Sequence, residues 1–449
     1  MDRMEEDIVL LEPLKRTGKG FYLAIWILFS LMVWAFYAWT YQLRHGLGVT
    51  GLNRPIFWGF YITNFVFFIG ISHAGTLISA ILRIFKAEWR RPFTRAAEAV
   101  TVFSLPFGVG SLMIDMGRPD RFLNVIKHPQ IQSPIIWDVC CVSTYLLSSC
   151  IYFYLALIPD IALCRDNLPH ASRPRQMLYR ILALGWKGTE RQRERLEKII
   201  GGMSIFLALL VVTVHTVVSW VFGMTVQPGW HTTIIGPYFL VGAIFSGVAT
   251  VAIVMAILRK VLHLEVYLRK AHFDNIGVFL LCLTLLWFYF TFAEYITTIY
   301  GGEPSHMRVL LSKFSGDFAI LFWLMFLFCF VIPLVLLGNR RTRTISGIVV
   351  ASIFINIGMW LERFTIIIPS LARPRLPYEP GTYFPTWVEG SITVGCFAAF
   401  IFLFMLFTKF FPIISIWEMR ESREKTLAEV GERIRSYLPQ GAEGRSGTT

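Results

Sequence analysis

Apolar residues in this chain come in long, nearly unbroken runs, not in the mixed spacing of a water-soluble element. Ten runs approach or exceed the roughly 20 residues that a helix rising about 1.5 Å per residue needs to cross a hydrocarbon core of about 30 Å. They cover approximately 21–41, 56–85, 96–114, 135–157, 199–223, 237–262, 276–300, 315–337, 345–368 and 390–412. Only helices and closed barrels satisfy every backbone polar group in lipid, and runs of this length are helical. The pattern predicts an all-α integral membrane protein of about ten transmembrane helices.

The polar stretches between the runs test that count. Of the 42 Lys and Arg residues, Arg83, Arg363 and Lys409 fall well within runs, and the others, with Arg259 and Lys260 at the end of the sixth run counted in the loop that follows it, divide 30 to 9 between alternate sides. Positive charge gathers on the cytoplasmic side, so both termini are expected there. The net charge of +13 is then an orientation signal directed at anionic lipid, with no nucleic acid implied. Composition agrees with a bilayer environment: 55% of residues are hydrophobic, 16% are charged, and the mean hydropathy is +0.58. Residues 1–20 mix acids and bases without an early apolar stretch, so the first run is expected to remain as a helix and not to serve as a cleaved signal. The charged sequence GTERQRERLEKII before the fifth run reads as a surface helix.

A faint echo suggests internal organisation. Gly59-Phe60-Tyr61 and Gly70 reappear 177 residues later as Gly236-Pro237-Tyr238 and Gly247, and Ala80 to Arg83 return, one residue out of step, at Ala256 to Arg259. Two four-helix bundles of equal orientation are expected, helices two to five and six to nine, flanked by helices one and ten. The corresponding segments are a tail (1–20), the first helix and outer loop (21–55), the first bundle (56–223), the second bundle (237–368), an outer loop with the tenth helix (369–412) and a second tail (413–449).

Ionisable groups within such runs are costly and mark candidate sites. They are His73, Glu98, Asp115, Asp138, His215, Glu294, Glu362 and Arg363. Glu362 and Arg363 read as an internal ion pair. The segment Asp115-Met116-Gly117-Arg118-Pro119-Asp120-Arg121 leaves the third run with acids and guanidiniums that can pair across a turn. The seven cysteines (140, 141, 150, 164, 282, 329 and 396) show no spacing for covalent haem or an iron-sulfur cluster. His73 and His215 are isolated histidines, one per helix. No metal site and no haem are therefore expected in this chain.

Several of these segments resemble one family. GISHAGT on the second helix, IDMGRPDRF after the third, SPIIWD opening the fourth, FAEYITTIYGGEP ending the seventh, WLERFTIIIPSL and YFPTWVEGSITVG are similar to the NrfD/PsrC family of quinone-interacting membrane subunits. With ten helices, the chain looks most like the quinol-oxidising NrfD-like subunit (ActC-type) of bacterial alternative complex III. The resemblance implies a bacterial inner-membrane subunit that binds a quinol, menaquinol or ubiquinol, in the first bundle near the outer face. It passes electrons to an iron-sulfur protein there, without a redox cofactor of its own. It also implies a second NrfD-like subunit and multihaem cytochrome c as partners.

Quinol oxidation releases two protons with two electrons, so a base and a route to water are needed. His73, Asp115 and Asp138 are the expected catalytic residues. These three and Arg118, expected to hold Asp115 ionised, would contact the quinol, and Ser72, Thr76, His215, Glu294, Glu362 and Arg363 are candidates for a proton path. Counted from position 56, His73 lies about 25 Å along its helix, deep for a residue of an outer site. The competing classes are a secondary transporter, which would need paired helix breaks such as the one expected at Pro106 to Gly110, and a structural anchor for redox subunits. Reporter fusions test the topology: those after Leu123, Gln227 and Pro304 should report the outer compartment and those at Arg91 and Arg191 the cytoplasm, and inversion at two or more sites would overturn it.

Overall fold

A computed structural model describes residues 12, 14, 17–85, 87–168, 172–375 and 379–420. Most of the two expected tails lies outside the described residues. All ten apolar runs are helices: α1 Lys19–His45, α2 Phe60–Ile84, α3 Arg91–Asp115, α4 Pro134–Asn167, α5 Glu190–Gly223, α6 Ile235–Val261, α7 Lys270–Gly301, α8 Ala319–Gly338, α9 Ile345–Ala372 and α10 Trp387–Phe410. Ten crossings put Lys19 and Phe410 on one face, called terminal here. The opposite, distal face carries the loops 46–59, 116–133, 224–234, 302–318 and 373–386.

Helix ends follow local chemistry. The Ser133 side chain accepts the Ile135 N–H, and Pro134, which has no N–H to satisfy, opens α4. At the start of α10, Glu389 accepts the Thr386 N–H at 3.0 Å and the Thr386 side chain answers it. Glu389 is fully buried and also accepts from Gly51 N at 2.7 Å and the Tyr383 hydroxyl at 2.6 Å, which ties the α1–α2 loop to α10. Helix α7 stops at Gly302, whose φ of +60° is the left-handed turn glycine takes without strain.

Two local expectations change. The charged segment before the fifth run is no separate surface helix: it forms the first turns of α5, opened by a Thr189–Gln192 capping box, while a different short helix, Arg173–Leu182, lies along the terminal face. Pro106 does not break α3, which continues on both sides of it. Pro106 lies on the exposed side of α3, where its ring meets no packed neighbour, and one missing backbone bond does not end a helix of 25 residues. The irregular turns are elsewhere: π-helical turns interrupt α2 at Leu77–Ile81 and α8 at Leu327–Val331.

Small residues set the packing. Helix α2 lies along α3 and, on its other side, meets α6, where Gly70 faces Ala243 and Ser246. Helix α4 pairs with α5, α6 packs against α7 and α9, and α8 against α9. Helices α1 and α10 pair with each other, Gly395 against Ala35, and α10 leans on α2 and α3. After α10 the chain turns back under the first helices: Ile413, Ile414, Ile416 and Glu418 are buried, Asp160 accepts the Ile416 and Trp417 N–H groups at 3.2 and 3.1 Å, and Arg95 pairs with Asp160 at 2.5 Å. A Cβ at Gly75 would strike the Ala97 carbonyl and the Thr101 hydroxyl, whereas one at Gly110 would meet open space. Gly75→Ala should therefore cost about 1–3 kcal/mol by overpacking and lower the melting temperature in detergent, and Gly110→Ala should leave it unchanged.

Candidate functional site

The deepest polar cluster lies where α2 meets α5, α6 and α9. His73 is fully buried, and its Nδ1 lies 2.7 Å from the Ile69 carbonyl oxygen. A carbonyl only accepts, so Nδ1 carries the hydrogen and Nε2 is left as a lone pair. Among the described residues that Nε2 makes no hydrogen bond of good geometry, and neither does either ring nitrogen of His215, although the backbones of Val211 and Phe239 lie near the two rings. The two rings stand edge to face with centroids 4.6 Å apart, which leaves no gap between them for a porphyrin. Tyr145 flanks His73 at 5.3 Å between centroids.

Helix α9 brings a charge to this cluster. The expected Glu362–Arg363 ion pair is present, buried to 0% and 1% exposure. Glu362 accepts from Trp287 Nε1 of α7 at 2.9 Å, and the Arg363 guanidinium lies 4.9 Å from the centre of the Phe239 ring of α6. Gly242 makes room for it, since a Cβ there would come within 2.7 Å of Nη2. Both histidines lie within electrostatic reach of Arg363.

From His73 a file of hydroxyls runs toward the terminal face. Tyr145 donates to the Ser72 carbonyl at 2.9 Å and meets Thr76 Oγ1 at 2.8 Å, and Thr101 donates to the same Ser72 carbonyl at 2.5 Å. A cavity with room for about one water, lined by Thr76, Glu98, Thr101, Ser149 and Tyr152, follows. Beyond it Ser79 bonds Glu98 and meets Tyr152 at 3.0 Å, which meets Ser204 at 3.1 Å. The file ends under Glu418, which pairs with Arg83 and Arg90 at 3.5 Å each. Sequence reading singled out Ser72, Thr76 and Glu98 but missed Ser79, Thr101, Tyr145, Tyr152 and Ser204. A signal existed in the helical spacing of Ser72, Thr76 and Ser79 and of Tyr145, Ser149 and Tyr152.

The distal acids stand apart from this cluster. Asp138 is four residues into α4, about 6 Å along its axis, and Asp115 ends α3, whereas His73 is 13 residues or about 20 Å into α2. Among the described residues no hydrogen bond, ion pair or ring contact joins His73 to either acid. Asp115 lies instead within electrostatic reach of Glu389 and Tyr61, and Tyr61 donates to Gln42 at 2.5 Å. Each acid buries one oxygen without a partner. Arg118 does not pair with Asp115: it forms two bonds to Asp120, at 3.1 and 3.0 Å, and holds that exposed carboxyl below the usual range. Asp115 caps no turn either. Gly117, at φ +64°, makes the turn by itself.

A second buried patch lies under the short distal helix Pro304–Phe314, outside the ten spans. Burial draws its Lys313 down to about 8, with Glu294 and Glu362 opposing that shift. The ammonium sits 5.7 Å from the centre of the Tyr295 ring. Glu294 leaves one carboxyl oxygen unpartnered and touches Thr232 of the α5–α6 loop.

Ten apolar helices, with hydroxyls, histidines and a buried ion pair at the helix contacts, define a polytopic membrane protein with a polar interior. The chain belongs to the NrfD polysulphide reductase family, which matches over residues 48–375. It is similar to a putative membrane subunit of dimethyl sulfoxide reductase from Halobacterium salinarum, 24% identical over 88% of this chain and 92% of that one. An Hdr-like menaquinol oxidoreductase integral membrane subunit of Archaeoglobus fulgidus is 23% identical over 86% and 92%. A menaquinone reductase integral membrane subunit of Nitratidesulfovibrio vulgaris is 22% identical over 87% and 91%. These relatives are membrane subunits of oxidoreductases.

Breaking a buried ion pair leaves a bare charge, which typically costs about 3–5 kcal/mol. Arg363→Met should therefore destabilise the protein on that scale in a detergent melt. Arg363→Met with Glu362→Gln should recover part of the loss, and a single variant that melts like the parent would show the pair to be dispensable.

Proposed function

We propose that this chain is the quinol-oxidising membrane subunit of an electron-transfer complex of the alternative complex III kind. Two electrons leave the quinol for an iron-sulfur protein docked on the distal, outer face, and two protons pass to groups of this chain. A second NrfD-like subunit and multihaem cytochrome c complete the assembly in the bacterial inner membrane, with both termini cytoplasmic. Menaquinol is the first substrate to assay, because two relatives carry menaquinol or menaquinone in their names.

The observation that carries the reading is the His73 imidazole, buried in the bilayer with its tautomer fixed by Ile69 and its Nε2 lone pair unused. That is a base without an assigned proton. Depth divides the labour: Asp115 and Asp138, with Arg118 at the mouth, lie where a headgroup entering from the distal side would meet them, and His73 takes a proton further in. His215, Glu362 and Glu294 extend the path on one side of His73, with Arg363 beside it as the fixed charge paired with Glu362, and Ser72 and Thr76 extend it toward the terminal face. Coupling of this path to proton translocation belongs to the same proposal.

His73→Phe in the assembled complex should lower quinol-dependent reduction of the partner by about 10², the scale for losing a positioned acid-base group. Affinity for a quinol analogue should stay unchanged. A matching loss of affinity would move His73 into the headgroup pocket, and unchanged turnover and affinity would end the assignment. Absence of quinol-dependent reduction in the parent complex would leave only the anchor reading.

A further inference from the structure

The distal face carries a histidine pair that the quinone chemistry does not use. His231, on the turn between α5 and α6, and His306, in the first turn of the Pro304–Phe314 helix, bring their Nε2 atoms to 3.3 Å. Their rings are nearly perpendicular, at 81°, with centroids 4.7 Å apart. The His231 Nδ1 lies 3.1 Å from the Gln227 carbonyl oxygen, so Nδ1 carries the hydrogen and the Nε2 lone pair faces His306. Glu303, the residue before the short helix, brings Oε2 to 3.6 Å from His306 Nε2, and its other oxygen accepts from the Ser305 hydroxyl at 2.6 Å.

Two nitrogens each about 2.05 Å from a tetrahedral ion are separated by about 3.3–3.4 Å. The pair already has that separation, which is longer than the roughly 2.7–3.2 Å usual for a nitrogen donor's hydrogen bond. The turn holding His231 is anchored: Gln227 Nε2 donates to the Ser370 carbonyl at 2.6 Å, and the buried Trp230 donates to the Ile366 carbonyl at 2.8 Å and stacks on Trp58. His306 is 12% exposed and Glu303 is 52% exposed, so the carboxylate is free to close the remaining few tenths of an ångström. Among the described residues no three His, Cys, Asp or Glu side chains already stand in ligand geometry, so the third ligand has to swing in. The exposed Arg375 acts on His306 and Glu303 as an opposing cation.

We propose that His231, His306 and Glu303 bind one divalent transition-metal ion of the zinc class at the distal surface, with water at the fourth position. Imidazole and carboxylate select zinc, copper or nickel over magnesium. Bound there, the ion staples the α5–α6 loop to the helix before α8. Thr232, next to His231, touches Glu294, so the staple also clamps the outer end of the Glu294–Lys313 patch. The site is built from two loops and needs no quinone.

The test is a zinc titration of the purified complex against a chromophoric chelator, run in parallel on the parent, His231→Gln, His306→Gln and Glu303→Gln. The parent should hold one zinc equivalent more than either histidine variant, and Glu303→Gln should bind it at least about 10-fold more weakly, the low end of what losing even a supporting partner costs. A 100-fold excess of magnesium should not displace it. All four proteins should assemble with the same partners and show the same melting temperature without metal, and zinc should raise the melting temperature of the parent, raise that of Glu303→Gln less at the same zinc concentration, and leave both histidine variants unmoved. Equal zinc stoichiometry and affinity in the parent and both histidine variants would overturn the site, whatever the outcome of the quinol assays.

Discussion

A charge in hydrocarbon must be matched by protein, because no water is there to do it. In this fold the pair Glu362–Arg363 on α9 meets that demand, and its partners show how much of the assembly depends on it. Trp287 of α7 donates to the carboxylate, the Phe239 ring of α6 faces the guanidinium, and Gly242 of α6 is a glycine because the guanidinium occupies the place of its side chain. Helices α6, α7 and α9 are thus fixed around one ion pair. Against the far side of α6 stands α2, close enough through Gly70 to bring His73 into the same cluster. The ion pair sets the position of α6, and α6 sets how near α2 can come.

The histidines follow from that arrangement. A neutral imidazole with both nitrogens satisfied would be an ordinary core side chain. His73 has one satisfied and one not, and His215 has neither satisfied, in a region where an unused polar atom is expensive. Natural interiors keep such groups where chemistry needs them, which is why the bare Nε2 outweighs nearness in sequence to the better-marked acids. The acids near the distal face are different in kind. Asp115 and Asp138 each leave an oxygen open within about a turn or two of the helix end, where a ligand entering from that side would reach them first.

The ten crossings were legible because the bilayer imposes a length that hydropathy records directly, and the Glu362–Arg363 pair was legible because adjacent opposite charges inside an apolar run leave few alternatives. Other features had no such signal. The charged start of α5 reads as a separate helix because hydropathy ends where lipid ends, while backbone hydrogen bonding continues into water. Pro106 reads as a break because the rule weighs the one lost backbone bond and the ring's bulk, whereas in α3 the ring is on the exposed side and the helix continues past it. The π-helical turns leave no mark in composition. The partner of Arg118 was misread because Asp115 drew attention as an acid inside an apolar run, whereas Asp120, two residues from Arg118, shares the turn and meets the guanidinium with two bonds. Hydroxyls such as Tyr145, Thr101 and Tyr152 escaped notice because they barely alter hydropathy, although they carry most of the polar contacts of the first bundle.

Those hydroxyls bear on how a deep base can communicate with either face. His73 lies about 20 Å into α2, whereas Asp138 lies about 6 Å into α4 and Asp115 at the distal end of α3, and among the described residues no hydrogen bond, ion pair or ring contact joins them. Toward the terminal face Tyr145 and Thr76 on one side and Ser79, Glu98 and Tyr152 on the other are separated by a cavity with room for about one water. A hydrogen-bonded chain conducts a proton only where each member can both donate and accept, and hydroxyls and water meet that condition while amides and guanidiniums do not. Glu98 is the first carboxyl on this route, and beyond it the Glu418 bridges to Arg83 and Arg90 close the terminal end with fixed charge. Groups able to relay a proton are therefore gathered between His73 and the face opposite the proposed quinol entry, and the stretch between His73 and the distal acids holds no comparable file among the described residues.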